Sequence, residues 1–151
     1  MMAAMILVYL DMCSLKRPFD DQSQGRVAIE TEAVLRILDK VRKGTLRMCG
    51  SEILTYENAG NPDPVRRERV HKILAAVTPG APPVSARMRR RANTLAAQGI
   101  GGLDALHIAA AESQGADFFV TCDDPLIKKA AKIRPGITVV NPVSFMWEVG
   151  L

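Results

Sequence analysis

Four acidic residues, Asp11, Glu57, Asp104 and Asp123, stand where a carboxylate is costly unless something positive meets it. Asp11 closes the apolar run Val8-Tyr9-Leu10, and Asp123 follows Phe119-Val120-Thr121-Cys122. Glu57 interrupts the apolar face of an expected helix. A divalent cation is the natural partner for such a set. Hard oxygen donors of this kind select Mg2+ or Mn2+ over zinc. An ion of that class lowers the pKa of a bound water, positions it for in-line attack and neutralises charge on a phosphate. Several carboxylates with no evident nucleophilic Ser or Cys, on a basic chain, point to hydrolysis of a phosphodiester.

Each acid has a competing structural explanation. Asp11 at the end of a first strand would lie in the crevice outside the strand ends, where open parallel sheets bind ligands. The alternative is a loop aspartate that bonds local backbone amides. Asp123 could cap the next helix. Asp124, directly before Pro125, is better placed for that duty, with Pro125 at the first helical position, which leaves Asp123 for chemistry. Glu57 competes with Glu52, about 140° away at roughly 100° per residue. Ile53, Leu54 and Tyr56 define the apolar face, and Glu57 falls within it. Glu52, early in the same helix, is explained by the helix dipole. Asp104 opens an alanine-rich helix, where capping explains it as well as ligation does, and position alone leaves both open. His107 lies one turn later and reads as packed or capped more readily than catalytic. Arg17 and Lys128 are candidates for holding a phosphate backbone near the site. The cluster Arg87, Arg89, Arg90 and Arg91 reads mainly as a solvated helix face.

The elements that must position these residues follow from pattern. With 151 residues, 48% hydrophobic and 24% charged, the chain suits one globular domain spanning 1–151. Aromatics are sparse at 5%, so Leu, Ile, Val, Ala and Met must build the core, which favours helices on a sheet. The net charge of +4 is weak evidence for nucleic acid by itself. It gains weight if four acids are gathered at one place, because the remaining surface is then more basic. Cys13, Cys49 and Cys122 include no C-x-x-C pair, which argues against a thiolate zinc site and for reduced thiols in the cytoplasm. The opening run MMAAMILVYL lacks a basic leader region and is far short of the roughly 20 residues that span a bilayer. It is expected to be a buried strand, so the protein is expected to be neither secreted nor membrane-spanning.

Strands are expected at Met5–Leu10, Leu46–Cys49, Phe118–Thr121 and Ile137–Val140. Helices are expected at Gly25–Lys43, Ser51–Asn58 with Ser51 as cap, Pro64–Val77, from Ser85 onward, Leu103–Gln114, from Asp124, and Pro142–Val149. Cys13–Gln24 is expected to be a loop. Thr78–Pro83 is expected to be a connection, with a short strand near Pro83-Val84. Strands alternating with helices make a parallel α/β sheet covered by helices on both faces.

The segments VYLDMCS, SEILTYENA, GLDALHIAAAESQGADFFVTCDD and NPVSF, taken together, resemble a PIN-domain protein over almost the whole chain. The most specific part is LDALHIAAA followed by a strand and T-x-D. The resemblance implies a three-layer α/β/α sandwich with a central parallel sheet of four or five strands and an acidic pocket at the strand ends. It implies a metal-dependent ribonuclease, with Asp11, Glu57, Asp104 and Asp123 as catalytic and metal-holding residues, Mg2+ or Mn2+ as cofactor and RNA as substrate. Many such proteins are VapC-like toxins, which implies an antitoxin partner and a homodimer. Two features depart from the pattern. Met12 follows the first Asp where Thr or Ser is common, with Ser14 as a nearby hydroxyl, and the loop Arg17–Gln22 is longer than usual.

Two other readings set the comparison. A non-catalytic RNA- or protein-binding module would use the same fold without cleavage. A haloacid-dehalogenase-type enzyme also begins with Asp after a first strand, but it wants a second Asp two residues on, where this chain has Cys13.

Overall fold

The computed structural model describes residues 5–77 and 81–151. Residues 1–4, the side chain of Val77 and the start of the 78–83 connection lie outside the described part, and so do the expectations made for them. Four strands of the described residues form one sheet: β1 (Leu7–Leu10), β2 (Arg47–Cys49), β3 (Phe118–Val120) and β4 (Thr138–Val140). All pairings are parallel, in the order β2-β1-β3-β4. Among the described residues, eight helices surround them: α1 (Met12–Lys16), α2 (Gly25–Arg42), α3 (Glu52–Ala59), α4 (Pro64–Val77), α5 (Ala86–Ala97), α6 (Gly102–Ser113), α7 (Asp124–Ile133) and α8 (Pro142–Val149). The fold is α/β, a central four-stranded parallel sheet between helical layers.

The expected apolar faces hold in most elements. Val8, Tyr9 and Leu10 are buried, as a central strand covered on both sides requires. In α2, Val27, Val34 and Ile37 are buried while Leu38 and Val41 are partly so. Met88, Ala92 and Leu95 carry the inner face of α5. The alanines of α6, buried at 105 and 109–111, let that helix lie close to its neighbours. Tyr9 stacks on Phe119 across β1 and β3, with ring centroids 5.3 Å apart.

Three local expectations fail. Cys13–Gln24 is no simple loop: α1 begins at Met12 and a 3-10 turn covers Arg17–Phe19. Asp11 starts this turn as its cap, and Arg17 and Thr31 tie it to α2 through the Thr31 hydroxyl bond to the Arg17 carbonyl. No strand forms at Pro83-Val84. Proline supplies no N–H for a ladder, and the Val84 amide is instead bonded by the Glu52 carboxylate at 2.6 Å. Tyr56, read as inward, is 73% exposed. No helix of the described residues is long and apolar enough to cross a membrane.

The strand order contains one reversal. From β1 the chain crosses to β2 on one side, and from β3 to β4 on the other. The boundary between β1 and β3 is therefore the topological switch point, where the flanking loops diverge and leave a crevice.

Candidate functional site

Each strand leads into a helix, and the residue at each junction caps it. Asp11 accepts from Ser14 N, Ser51 from Leu54 N, Asp123 from Leu126 N and Asn141 from Val143 N. The Ser51 expectation holds. The assignment of the α7 cap to Asp124 does not, because Asp123 is the cap and Asp124 is the first helical residue. Asp124 has a different duty. Its carboxylate takes two bonds from Arg26 of α2, at 2.7 and 2.9 Å. Asp11 and Asp123 thus combine a local backbone role with a place at the switch point, which short-range reasoning had treated as alternatives.

Asp11 is the deepest of the four acids, 6% exposed. Besides the Ser14 amide at 3.1 Å, it accepts from the Thr121 hydroxyl at 2.5 Å and from the Cys13 thiol at 3.0 and 3.1 Å. All three donors are neutral. Burial, then the neighbouring Cys13, raises its pKa well above the ordinary carboxylate value. Thr121 in turn accepts from the Asp123 amide at 3.1 Å, so one hydroxyl links the ends of β1 and β3.

Glu57 reaches the site from α3. With Tyr56 outside, the inward stripe of that helix is Ile53, Leu54 and Asn58, and Glu57 still lies on it, four residues after Ile53. It is partly exposed and bonds Nε2 of His107, a residue only 2% exposed. On the other side of the ring, Nδ1 lies 2.6 Å from the Tyr9 hydroxyl, which lies 2.6 Å from the Ser51 hydroxyl. The chain Ser51–Tyr9–His107–Glu57 joins β1, α3 and α6. One set of directions satisfies every member: Ser51 donates to Tyr9, Tyr9 donates to Nδ1, and Nε2 donates to Glu57. Burial holds the Tyr9 phenol far above its usual pKa, which keeps it a neutral donor.

Asp104 sits in the first turn of α6, whose cap position is Gly101. It is the third residue of the helix and no cap. Its pKa is raised by burial and then by repulsion from Asp123 and Glu57, while His107 and Lys129 pull the other way. Together Asp11, Glu57, Asp104 and Asp123 line one cavity of about 180 Å3, with Met12, Cys13, Arg17, His107 and Cys122. The structure brings all four expected residues together. His107, Tyr9 and Thr121 join them, and of these only His107 had a readable signal, its one-turn spacing from Asp104.

The arginine that lines the cavity is otherwise engaged. Arg17 edges the cavity but bonds Asp20 and the buried Glu30. Glu30 is 3% exposed and also takes Arg26 and the Asn141 side chain. Its place on the Val27–Thr31–Val34 stripe of α2 was a signal for a buried acid that sequence reading passed over. Lys128 acts on Asp124, and it is Lys129 whose field falls on Asp104. In the arginine cluster, Arg91 pairs with Glu112 at 2.9 Å while Arg87, Arg89 and Arg90 are exposed, as a solvated face would be. Among the described residues, none of the four cavity acids has a Lys or Arg ion-pair partner, whereas Glu30, Asp124, Asp39 and Glu112 all do.

The donor set suits a hard divalent cation: oxygen ligands, mutual repulsion and no competing cation in contact. The arrangement is nonetheless open. No group of three or more His, Cys, Asp or Glu that could hold a metal ion is found among the described residues. The four carboxylates share one cavity without being closed to coordination distance. Thiol chemistry is present beside it. A bond with Cys122, and then burial, pushes the Cys13 thiol up, and the same bond lowers Cys122.

No protein-family model matches the chain, and no curated protein matches it.

Proposed function

We propose that the protein is a metal-dependent endoribonuclease that hydrolyses RNA phosphodiester bonds with Mg2+ or Mn2+. The observation that supports this reading most is the cavity at the switch point where four carboxylates meet and where, among the described residues, none of the four has a Lys or Arg ion-pair partner. Asp11, Asp104 and Asp123 would hold the ion, and Glu57 would complete the shell or orient the attacking water. A bound ion would supply an activated water and neutralise charge on the phosphate. His107, held by Tyr9, fixes Glu57 from behind. Thr121 fixes Asp11, and the Ser14 amide sets its rotamer. Lys129 lends positive potential near Asp104 at the cavity edge. The Arg17 charge is neutralised by Asp20 and Glu30, so its role is to hold the α1 turn in place more than to grip a phosphate.

The resemblance to PIN-domain toxins extends this proposal to an antitoxin partner, a homodimer and a cytoplasmic setting. The open ligand geometry favours one second reading, a non-catalytic module that binds RNA or protein through the same cavity face. Incubating the pure protein with a panel of RNAs, in Mn2+ and in EDTA, separates the two. The nuclease yields fragments in Mn2+ alone, and Asp11→Asn abolishes them. Binding that survives EDTA with intact RNA in every lane supports the module and ends the nuclease reading.

A further inference from the structure

Two cysteines 109 residues apart meet at the acidic cavity. Cys13 lies in the first turn of α1 and Cys122 in the two-residue step between β3 and the cap of α7. Because β1 and β3 are adjacent and parallel, the segments leaving them emerge side by side. The Cys122 amide donates to the Cys13 sulfur at 3.4 Å. The Cys122 sulfur also lies 3.9 Å from the Ser14 hydroxyl, the residue following Cys13. Both cysteines line the cavity, which gives a small oxidant a route to them. The third cysteine, Cys49, is buried in β2 with its sulfur 3.6 Å from the Val8 carbonyl, and it does not line this cavity.

We propose that Cys13 and Cys122 are a reversible modification site, a dithiol that small hydroperoxides convert to an intramolecular disulfide across the acidic cavity. One sulfur attacks the outer peroxide oxygen, giving a sulfenic acid and releasing the alcohol, or water when the oxidant is hydrogen peroxide. The second sulfur attacks the sulfenic sulfur, the S–S bond forms and water leaves. The two thiols lose two electrons and two protons in all, and the peroxide accepts them. A dithiol reductant reverses the step by exchange. A disulfide asks for Cα atoms about 4.4–6.8 Å apart, and a sulfur already bonded to the other cysteine's own amide brings that spacing within reach.

The bridge would take from Asp11 the thiol hydrogen that Cys13 now gives it. It would also tie the α1 turn to the β3–α7 corner, freezing two sides of the cavity against each other. That consequence for cleavage rests on the nuclease reading above, whereas the cross-link itself does not.

The test treats the fully reduced protein with hydrogen peroxide, blocks remaining thiols under denaturing conditions, and maps peptides by mass spectrometry without reduction. The expected product is monomeric, lighter by about 2 Da, with the Cys13 and Cys122 peptides joined and Cys49 alkylated. Dithiothreitol restores the starting mass, and Cys122→Ala shows no such loss. Bridges through Cys49, bridges between chains, or sulfinic acids without the Cys13–Cys122 link would overturn the proposal. RNA cleavage in Mn2+ is followed in parallel and is expected to fall with the cross-link and return with dithiothreitol. A reduced protein that never cleaves RNA sinks the nuclease reading while leaving the mapped link to be judged alone. A reduced protein that cleaves but never forms the link sinks only this inference.

Discussion

Replacing Asp11 with asparagine should stabilise the metal-free protein while removing its response to metal. Asp11 is almost fully buried, and its three partners, Ser14 N, Thr121 Oγ1 and Cys13 Sγ, are all neutral. Burying a carboxylate costs several kcal/mol, and each bond to a charged group returns about 1.5–3 kcal/mol. Asparagine avoids the charge penalty and keeps most of the geometry. Its carbonyl oxygen can keep the Ser14 bond, and its amide can donate to Thr121, whose hydroxyl oxygen has a lone pair left beside the one used by the Asp123 amide. The Cys13 contact with the second oxygen is lost, and the Thr121 hydroxyl hydrogen must turn from that oxygen to another acceptor, for which the Cys13 sulfur at 3.3 Å is placed. The net gain expected without metal at pH 8 is about 1–2 kcal/mol, typical of relieving a strained functional position, or roughly 2–8 °C in Tm. The pH dependence has a defined sign. The folded-state pKa of Asp11 is raised, so the folded protein holds the proton after the unfolded chain has released it near pH 3.9. Its contribution to stability is therefore fully present below that value and is lost as pH climbs toward the folded-state pKa. Below about pH 4 wild type and variant should converge. Mn2+ at a hundred times its Kd should add about 2.7 kcal/mol to wild type and nothing comparable to the variant, reversing their order. Denaturant unfolding in EDTA and in Mn2+ at several pH values measures all of this. An Asp11→Asn protein less stable than wild type in EDTA at pH 8 would refute the reasoning about the uncompensated carboxylate.

Two further substitutions probe the supports of the site. Tyr9→Phe keeps the stack on Phe119 but leaves the buried His107 Nδ1 without its partner, so it should cost about 1–3 kcal/mol in denaturant unfolding, and a loss below 0.5 kcal/mol, which is within the ordinary noise of surface changes, would show that the Ser51–Tyr9–His107 chain contributes little. Glu30→Ala removes the centre of a buried network and takes a partner from Arg17, Arg26 and Asn141, so it should cost about 3–5 kcal/mol, measured in the same way. Equal stability to wild type would mean that water replaces the carboxylate there.

The elements were legible because helix and strand periods are local. Ser51, Pro64, Ser85 and Pro142 mark helix starts through backbone bonding reach of only two or three residues, and the structure agrees with all four. Asp123 and Asp124 were exchanged because what settles Asp124 is Arg26, 98 residues away, an interaction that no local rule contains. Tyr56 was misplaced because an aromatic ring on a short helix reads as core until the neighbouring helices are known. Asp11, Glu57 and Asp123 could be chosen by position and Asp104 only through the family resemblance, but their common cavity follows from the strand order 2-1-3-4, which pattern alone did not fix. Tyr9 shows the same limit. It reads as one more apolar strand residue, yet its hydroxyl connects Ser51 to His107 only after β1, α3 and α6 have packed.

The central claim is that the four carboxylates act as one metal-holding set for RNA hydrolysis. Titrating Mn2+ into a cleavage assay with a labelled RNA, for wild type and for Asp104→Asn, tests it most directly, because Asp104 is the acid whose field depends on Asp123 and Glu57. The account predicts saturable, EDTA-reversible cleavage by wild type. For the variant it predicts a higher half-saturating Mn2+ concentration and a rate lower by about 100-fold or more, the scale of losing one preorganised group at a reacting centre. Cleavage indifferent to Mn2+, or identical in the two proteins, would contradict it.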